Sequence, residues 1–298
     1  MDYENKYLKY KNKYSNLKSK VGGYLRDYNC VEPELDKVYV EVFDLFETTY
    51  EIQEIVKNLI NDNLSSLKRQ NAYGPIPSTG WVHNQILIGS KPNTCDDIKS
   101  MVDTGKITGF LSLRENNEPY QYCKLEKDNE NQDIQDKLCD NLIFLRFRIN
   151  DYNTPTKVED TVVAIDNIVN YILRNSNNKI MIHCFSGRGR TGLFTCCVLS
   201  IILLLLTPPY QDIMIKIKEE PFYQANISIT NLSEKIFKII QAYIMVNLRA
   251  YRKTDWPCIK EIKKMVIPET PAQTKFVKEV IVSYIIRYIE NGFLYNNA

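Results

Sequence analysis

The pattern of apolar and polar positions changes near Trp81 and divides the chain into two parts. Before that point, residues 34–70 place their apolar side chains mostly at helical spacing, which predicts one or two amphipathic helices. After it, short apolar runs alternate with helical patterns, and this alternation is typical of a mainly parallel sheet with helices on both faces. The predicted strands are 86–88, 107–113, 142–149 and 179–182, and the predicted helices are 96–102, 156–172, 193–206, 210–219 and 229–248.

Turn and capping signals mark the boundaries of these parts. A turn-rich stretch with two prolines, 71–80, separates an N-terminal extension, 1–72, from a main domain, 73–298. The pattern Thr-x-x-Glu from Thr156 to Glu159 is that of a helix-capping box and predicts a helix start. The stretch 208–256 predicts a helical insertion that could cap the sheet, cover a site or form a dimer face. We therefore expect an α/β fold, a central mainly parallel sheet flanked by helices, with an N-terminal helical extension and a helical insertion.

Composition limits the classes of protein that fit. The chain has 298 residues, 44% of them hydrophobic and 25% charged, as in ordinary globular proteins, and its net charge of +2 does not indicate nucleic acid by itself. Its eight cysteines contain no Cys-x-x-Cys pair and the N-terminus lacks an apolar signal region, so we expect a reducing, cytoplasmic setting. With two histidines, the chain is expected to need no metal or cofactor. The apolar run 193–206 is shorter than the ~18 residues that cross a bilayer, which predicts a buried core helix and no membrane span.

Residues 183–192, His-Cys-Phe-Ser-Gly-Arg-Gly-Arg-Thr-Gly, carry the strongest chemical signal in the chain. They lie between a predicted strand and a predicted helix, so backbone N–H groups and a helix N-terminus point to one place. Such a place binds an anion of phosphate size. Cys184 begins the loop and Arg190 ends it, and the amides, the helix dipole and the guanidinium together would stabilise a thiolate. The alternative is a strand–loop–helix turn that contains an inert buried cysteine.

This loop resembles the sequence His-Cys-x-x-Gly-x-Gly-Arg-Thr-Gly of cysteine-dependent protein phosphatases. From about Trp81 onward, the order of elements is similar to that of the dual-specificity branch of these enzymes, and 84–114 looks like its opening strand–helix–strand unit. The resemblance implies hydrolysis of phosphate monoesters through a phosphocysteine on Cys184. Arg190 would present a planar fork to two phosphate oxygens, which lysine cannot do. The expected phosphate-binding residues are Phe185, Ser186, Gly187, Arg188, Gly189 and Arg190.

Two polar residues flank this loop. His183 is expected to order the loop by hydrogen bonding rather than to act as a base, which is close to the role of an ordinary buried histidine. Thr191 can donate a hydrogen bond to the cysteine sulfur and ease its departure in the second step. As an alternative, Thr191 is an ordinary residue in the first turn of a helix.

The leaving oxygen of a serine or tyrosine phosphate needs a proton. In the family that this chain resembles, an aspartate supplies it from a loop after the strand beside the nucleophile strand. Asp151 occupies that place here, although the Trp-Pro-Asp sequence of the larger tyrosine-specific enzymes is absent. Asp151 could also be an ordinary turn residue; in that case Asp140 or Asp160 would be the acid, the latter having a helix-dipole reason to lie where it does.

Gln273 is the last candidate. Residues 268–273 resemble the late glutamine loop of the family, whose glutamine positions the attacking water. The sequence from Thr270 to Gln273 is also a capping box with Pro271 at the first helical position. Both interpretations can hold together.

The expected function is that of a protein phosphatase that hydrolyses phosphotyrosine and phosphoserine/threonine in phosphoprotein substrates. Arg188 would add a preference for polyanionic substrates, but Phe185 stands where phosphoinositide phosphatases carry a second lysine, which disfavours lipid. One alternative is an RNA 5′-triphosphatase, the only case in which a nucleic-acid partner is expected. Relatives with that activity usually have Asn where this chain has Gly189. A second alternative is a catalytically idle phosphoprotein-binding module.

Residues 1–22 alternate Lys, Tyr and Asn with few aliphatic residues. They predict a solvated helix or a frayed tail, or else a basic and aromatic arm that contacts nucleic acid or a membrane surface. The segment resembles the lysine- and tyrosine-rich leaders of proteins from giant DNA viruses. The sequence makes no prediction of the oligomeric state.

Overall fold

A five-stranded sheet forms the centre of the molecule in a computed structural model that describes residues 35–66, 74–76, 79–115, 142–220, 227–251 and 267–291. The strand order is β1-β2-β5-β3-β4. Strands β2, β5, β3 and β4 run parallel, and β1 pairs with β2 in the antiparallel direction, so the prediction of a mainly parallel sheet is confirmed. The strands are β1 Thr79–His83, β2 Ile86–Ser90, β3 Gly109–Ser112, β4 Ile143–Arg146 and β5 Ile180–Cys184.

Helices cover both faces of this sheet, as predicted. Among the described helices, α3 covers one face, over a small core that includes Phe110 and Met181. The other face carries α4 and α5, with α7 and α8 packed against α5. The helices of the described part of the chain are α1 Leu35–Leu45, α2 Tyr50–Ser66, α3 Cys95–Asp103, α4 Val158–Arg174, α5 Gly189–Leu206, α6 Pro208–Glu219, α7 Ile229–Tyr251 and α8 Pro271–Asn291.

Helix α5 is the centre of the larger core. Its residues are apolar on every side, and a helix of that kind must be buried on every side. Every residue from Gly189 to Leu205 is buried, in agreement with the predicted core helix. Since α5 begins at Gly189, it reaches 18 residues, which is enough to cross a membrane by length and composition, but 89% of it is buried inside the protein. It packs as a core helix.

Helix α7 joins the N-terminal extension to the sheet. Helices α1 and α2 pack against it, and Lys235 Nζ lies 2.6 Å from Glu51 Oε1 on α2. On the side of the sheet, the Tyr243 hydroxyl donates to the Val82 carbonyl of β1 at 2.6 Å. The segment predicted as a helical insertion therefore contributes α7 to the packed core, against β1, α5 and α8.

The structure differs from the sequence prediction in several local details. Strand β1 lies partly in the stretch predicted as a turn-rich linker, because Thr79 and Gly80 pair with β2 despite the neighbouring prolines. Strand β4 is shorter than the predicted 142–149, and Ile143 is 42% exposed because β4 pairs only with β3 among the described strands. The capping box at Thr156 is wrong: α4 begins at Val158 with Lys157 as its N-cap, and no side-chain bond caps it.

Candidate active site

The central strand β5 delivers Cys184 to one edge of the sheet. Its residues are buried and mostly apolar, as expected for a parallel strand covered on both faces. It pairs with β2 on one side and β3 on the other, and Cys184 is level with Ser90 at the carboxyl end of β2. Ligands bind at this end of parallel strands in open α/β sheets.

Gly187 shapes the loop that follows. Its φ angle of 72° lies in the left-handed region, and a Cβ there would collide with the backbone of Gly89 and Ser90 in β2. The loop therefore turns back tightly against the sheet. This turn points the Gly187 N–H at the sulfur of Cys184, at 3.2 Å. Cys184 is only 2% exposed, so its sulfur is buried at the base of the loop, against the Gly187 amide.

Arg190 lies at the end of this loop, in the first turn of α5, and is 2% exposed. Its Nη1 donates to the Ile149 carbonyl at 3.4 Å, and its Nε lies 3.3 Å from Asp151 Oδ1. Two contacts to one loop hold the planar guanidinium in a fixed orientation. Asp151 itself is 54% exposed at its side chain, so its carboxyl lies between the buried arginine and solvent.

A tight turn presents Asp151. The Asn153 N–H donates to the Asn150 carbonyl at 3.1 Å, and Tyr152 has a positive φ of 59°. The sequence signals of a turn and of a catalytic aspartate thus coincide at this position. Of the two alternatives, Asp160 is exposed in the first turn of α4, where it complements the helix dipole, and Asp140 lies outside the described residues.

His183 is fully buried, next to the nucleophile and on the sheet side of the loop. Its Nδ1 donates to the Cys184 carbonyl at 3.1 Å, since a carbonyl can only accept. Burial, together with the cations of Arg114, Lys91 and Arg190 and against the hydrogen bond to the Cys184 carbonyl, lowers the pKa of His183 to about 4. His183 is therefore neutral near pH 7, and its ring contacts the backbone at the start of the loop.

The start of α5 is uncapped by side chains. Arg188 is the N-cap residue and makes no side-chain capping bond, and the first turn contains no acidic residue. Thr191 is fully buried, and its Oγ1 has no hydrogen-bond partner in the described part of the chain. The predicted hydrogen bond from Thr191 to the cysteine sulfur is therefore not formed in this structure.

The segment 267–273 packs against the other side of the loop. The Gln241 side chain donates to the Ile267 carbonyl at 3.0 Å, and Ile267 lies so close to Gly192 that a side chain there would collide with it. Gln273 is fully buried and does not face solvent. Its Oε1 accepts from the Glu269 N–H at 3.0 Å and its Nε2 donates to the Asn153 carbonyl at 3.2 Å.

Gln273 therefore joins two loops that border the site. Its backbone N–H also donates to Thr270 Oγ1 at 3.1 Å, which is half of the predicted capping box. In a capping box the Gln273 side chain would accept from the Thr270 N–H. Here it accepts from the Glu269 N–H, so the second bond of the capping box is displaced by one residue. The amide that was expected to position water is engaged by protein groups at both ends.

Glu269 is the acidic residue that the sequence analysis missed. A Cβ built on Gly189 would collide with Glu269 Oε2, so the carboxyl lies directly over the start of α5. Although the residue as a whole is exposed, burial of this carboxyl raises its pKa; Asp151 raises it too, against Arg188 and Arg190. No local sequence pattern distinguishes Glu269 from other acidic residues of the chain.

The remaining residues of the predicted phosphate-binding loop differ in burial. Gly187 and Gly189 are buried, Ser186 and Arg188 are half-buried, and the Phe185 side chain is 46% exposed at the rim. Within the described ranges, no group of three or more His, Cys, Asp or Glu side chains is arranged to hold a metal ion.

A buried thiol in a glycine-rich loop, between the central strand of this sheet and a helix that begins with a buried arginine, defines the cysteine-dependent phosphatases of dual-specificity type. The family model described as "Swiss Army Knife protein, DSP-PTPase phosphatase domain" matches residues 78–240. That match spans more than half of the sequence, and the chain belongs to this family. The domain is that of a phosphoester hydrolase. A search of curated proteins finds no match to the sequence.

Several solved structures are similar to this one at low sequence identity. Tk-PTP in its active form is 18% identical, with a TM-score of 0.39 and coverage of 69% of this chain and 97% of that chain. PTPMT1 in complex with PI(5)P is 15% identical, with a TM-score of 0.42 and coverage of 70% and 98%. OH1, a tyrosine phosphatase from the Orf virus, is 10% identical, with a TM-score of 0.38 and coverage of 80% and 99%. None of these similarities bears on what this chain acts on.

Proposed function

We propose that this chain is a protein phosphatase that hydrolyses phosphotyrosine and phosphoserine/threonine through a phosphocysteine intermediate. The observation that carries the proposal is the ion pair between Arg190 and Asp151 at 3.3 Å, at the end of the loop that begins with the buried Cys184. This loop carries a nucleophile and a phosphate-binding guanidinium, and the guanidinium contacts a carboxyl group. A carboxyl group is needed only where the leaving oxygen is basic, as in serine, threonine and tyrosine esters.

In the first step, the Cys184 sulfur attacks phosphorus in line with the leaving oxygen. A sulfur–phosphorus bond forms, the phosphorus–oxygen bond to the substrate breaks, and the carboxyl proton of Asp151 goes to the leaving oxygen. Arg190 binds two equatorial oxygens, and the loop amides, including that of Gly187, stabilise the charge that develops. Before this step, the substrate phosphate takes over the Arg190 fork and releases Asp151 from its ion pair, and the released carboxylate takes up from solvent the proton that it donates.

In the second step, a water oxygen attacks phosphorus and the sulfur–phosphorus bond breaks. The thiolate of Cys184 leaves, the water proton goes to the Asp151 carboxylate, and inorganic phosphate is released. The amide hydrogen bond from Gly187 to the sulfur favours the thiolate as a leaving group. In this scheme Gln273 acts as a positioning residue, because it holds the Asp151 loop through the Asn153 carbonyl.

We place this activity in a reducing, cytoplasmic compartment. The mechanism needs a reduced thiol at position 184, and the four cysteines within the described residues, Cys95, Cys184, Cys196 and Cys197, are all free. Burial raises the pKa of Cys196 and of Cys197 well above its ordinary value, so these two thiols remain protonated and unreactive.

The test is to trap the intermediate. A phosphopeptide labelled with ³²P is mixed with the enzyme and quenched within milliseconds, and we expect label on Cys184 by peptide mapping. Cys184→Ser abolishes both label and turnover, because a serine hydroxyl stays protonated there. Cys95→Ser is the matched control: it removes a partly exposed thiol at the start of α3, and it keeps both label and turnover. Label that persists in Cys184→Ser, or turnover without any phosphoenzyme, contradicts the proposal.

A further inference from the structure

Two cations and an aromatic ring form a row at the rim of the site. Lys91 Nζ lies 5.6 Å from the centre of the Phe185 ring, and Arg114 Cζ lies 5.7 Å from it. Both distances are within the range of cation–π contacts. We name these three residues the cationic row.

The parallel register of the sheet builds this row. Ser90 of β2 is level with Cys184, and the Lys91 N–H donates to the Phe185 carbonyl at 3.4 Å. On the other side, Ser112 of β3 is level with His183, and the Leu113 N–H donates to the His183 carbonyl at 2.8 Å. Lys91 and Arg114 thus follow the two neighbours of β5 at the level of Phe185, with their Cα atoms about 10 Å apart across two strand spacings.

The two cations differ in exposure. Arg114 is 6% exposed, so water screens its charge little, whereas Lys91 is half-buried and also contacts Asn93 Oδ1 at 3.0 Å. Phe185, 46% exposed, lies between them and offers an apolar surface toward solvent. The positive charge at this rim is therefore held in place by the sheet and does not depend on a mobile loop.

Two acidic residues elsewhere at the rim lie against arginines. The Asp151 carboxyl lies on Arg190, and the Glu269 carboxyl lies over Gly189, where Arg188 and Arg190 act on it. A second anionic group on a substrate bound in the loop is attracted to the cationic row.

We propose that the cationic row, Lys91, Phe185 and Arg114, is a second anion subsite, which selects phosphopeptides that carry another negatively charged side chain beside the scissile phosphoresidue. This inference rests on the proposed function and adds the substrate class to it. The acidic group of Asp151 favours a peptide over an RNA end, because a diphosphate leaving group does not need a proton donor.

The test compares two peptides with the same scissile phosphotyrosine. One has uncharged neighbours, and the other carries a non-hydrolysable phosphonate side chain next to the phosphotyrosine, so that each peptide has one scissile group. We expect kcat/KM at low salt to be about tenfold higher for the second peptide, the value of one charge-assisted hydrogen bond. The ratio falls as salt is added, since exposed charges are screened.

Lys91→Gln and Arg114→Gln should each bring this ratio toward one. Lys179→Gln is the matched control, because Lys179 makes the same kind of contact, 5.1 Å from the Trp81 ring centre, at the other end of β5, about 16 Å from Cys184. It keeps the wild-type ratio. If Arg114→Gln fails to fold because Arg114 is buried, Lys91→Gln alone decides the question.

A wild-type ratio near one overturns the proposal, and so does a high ratio that both row variants retain. If the enzyme hydrolyses neither peptide but removes phosphate from triphosphate-ended RNA, the proposed protein-phosphatase function fails. If it hydrolyses both peptides equally, only the subsite fails.

Discussion

The buried His183 makes the stability of the fold depend on pH in a way that can be calculated. The pKa of His183 is lowered by burial from 6.5 to about 4. Between these values the unfolded chain binds a proton at this histidine and the folded chain does not. The free energy of unfolding therefore falls as the pH drops below 6.5, until about pH 4.

The size of the effect follows from the same two values. One pKa unit corresponds to about 1.4 kcal/mol, so the difference between pH 7 and pH 5 at this residue is about 2 kcal/mol. A difference of about 2 kcal/mol is roughly a factor of 30 in the folding equilibrium. It is a large part of the 5–15 kcal/mol that typically separates folded from unfolded domains. Glu269 and Asp166, whose pKa values are raised by burial, act in the opposite direction because their folded forms bind protons more readily.

The assay is urea denaturation at pH 7 and pH 5 for the wild type and for His183→Asn. Asparagine keeps a donor for the Cys184 carbonyl but does not titrate. Between pH 7 and pH 5, the free energy of unfolding should fall by about 2 kcal/mol less for the variant than for the wild type, whatever the absolute stability of the variant. The contributions of Glu269 and Asp166 are the same in both proteins and cancel.

The second histidine of the sequence, His83, is the matched control. Its pKa is also lowered to about 4 by burial, and it accepts a hydrogen bond at Nδ1 from the Gln85 N–H at 3.3 Å. The His83 side chain is only half-buried, whereas that of His183 is fully buried. His83→Asn should therefore reduce the loss of unfolding free energy between pH 7 and pH 5 by less than His183→Asn does. A His183→Asn variant that keeps the full loss between pH 7 and pH 5 would show that His183 is not held neutral by the fold.

Three further predictions concern the reaction. Asp151→Asn should lower kcat on phosphopeptides by ~10²–10⁴ and spare nitrophenyl phosphate, because only basic leaving groups need a proton. The test is kcat across aryl phosphates of graded leaving-group pKa. An equal loss across the series would mean that Asp151 is only a turn residue. Arg190→Lys should be nearly inactive despite its charge, since it loses the fork that contacts two oxygens, and the variant should still unfold at a similar temperature in calorimetry. Gly187→Ala should lower kcat/KM at least about 100-fold, because the positive φ and the backbone of β2 exclude a Cβ there, so the loop must shift and its amide moves away from the sulfur. Gly109→Ala is the control and should stay active, since its Cβ would meet only the Tyr171 side chain at 3.4 Å.

The parts of the fold with a strong local pattern were the predictable ones. The apolar run before His183 and the apolar run after Gly192 predict β5 and α5, because burial on every side leaves few polar positions, only Thr195 and Ser200 between Leu193 and Leu206. Strand β1 was missed because its residues follow prolines and glycine, and only pairing with β2 makes them a strand. Tertiary contacts decide such short elements.

The candidate site divides in the same way. The loop residues come from a local sequence, and Asp151 from the resemblance to the family, which places the aspartate after the strand beside the nucleophile strand. In the structure Asp151 follows β4, which pairs with β3 and not with β5, and its carboxyl lies 3.3 Å from Arg190. Glu269 reaches the site only through the packing of the segment 267–273 against the loop. Lys91 and Arg114 reach it only through the register of β2, β5 and β3. No pattern along the chain marks them, because their relation is across the sheet rather than along it.

The uncapped start of α5 connects the reaction to the lifetime of the protein. Since no side chain caps the start of α5, a phosphoryl group in the loop is the natural partner for the first amides of this buried helix. Bound phosphate therefore stabilises the native state as a ligand does, by about 2.7 kcal/mol at a concentration a hundred times its dissociation constant. Inorganic phosphate, the product, then has two effects in a cell. Under the proposed function, we expect it to inhibit the enzyme and to lower the unfolded population that proteases degrade, so that the abundance of the enzyme follows the level of its own product.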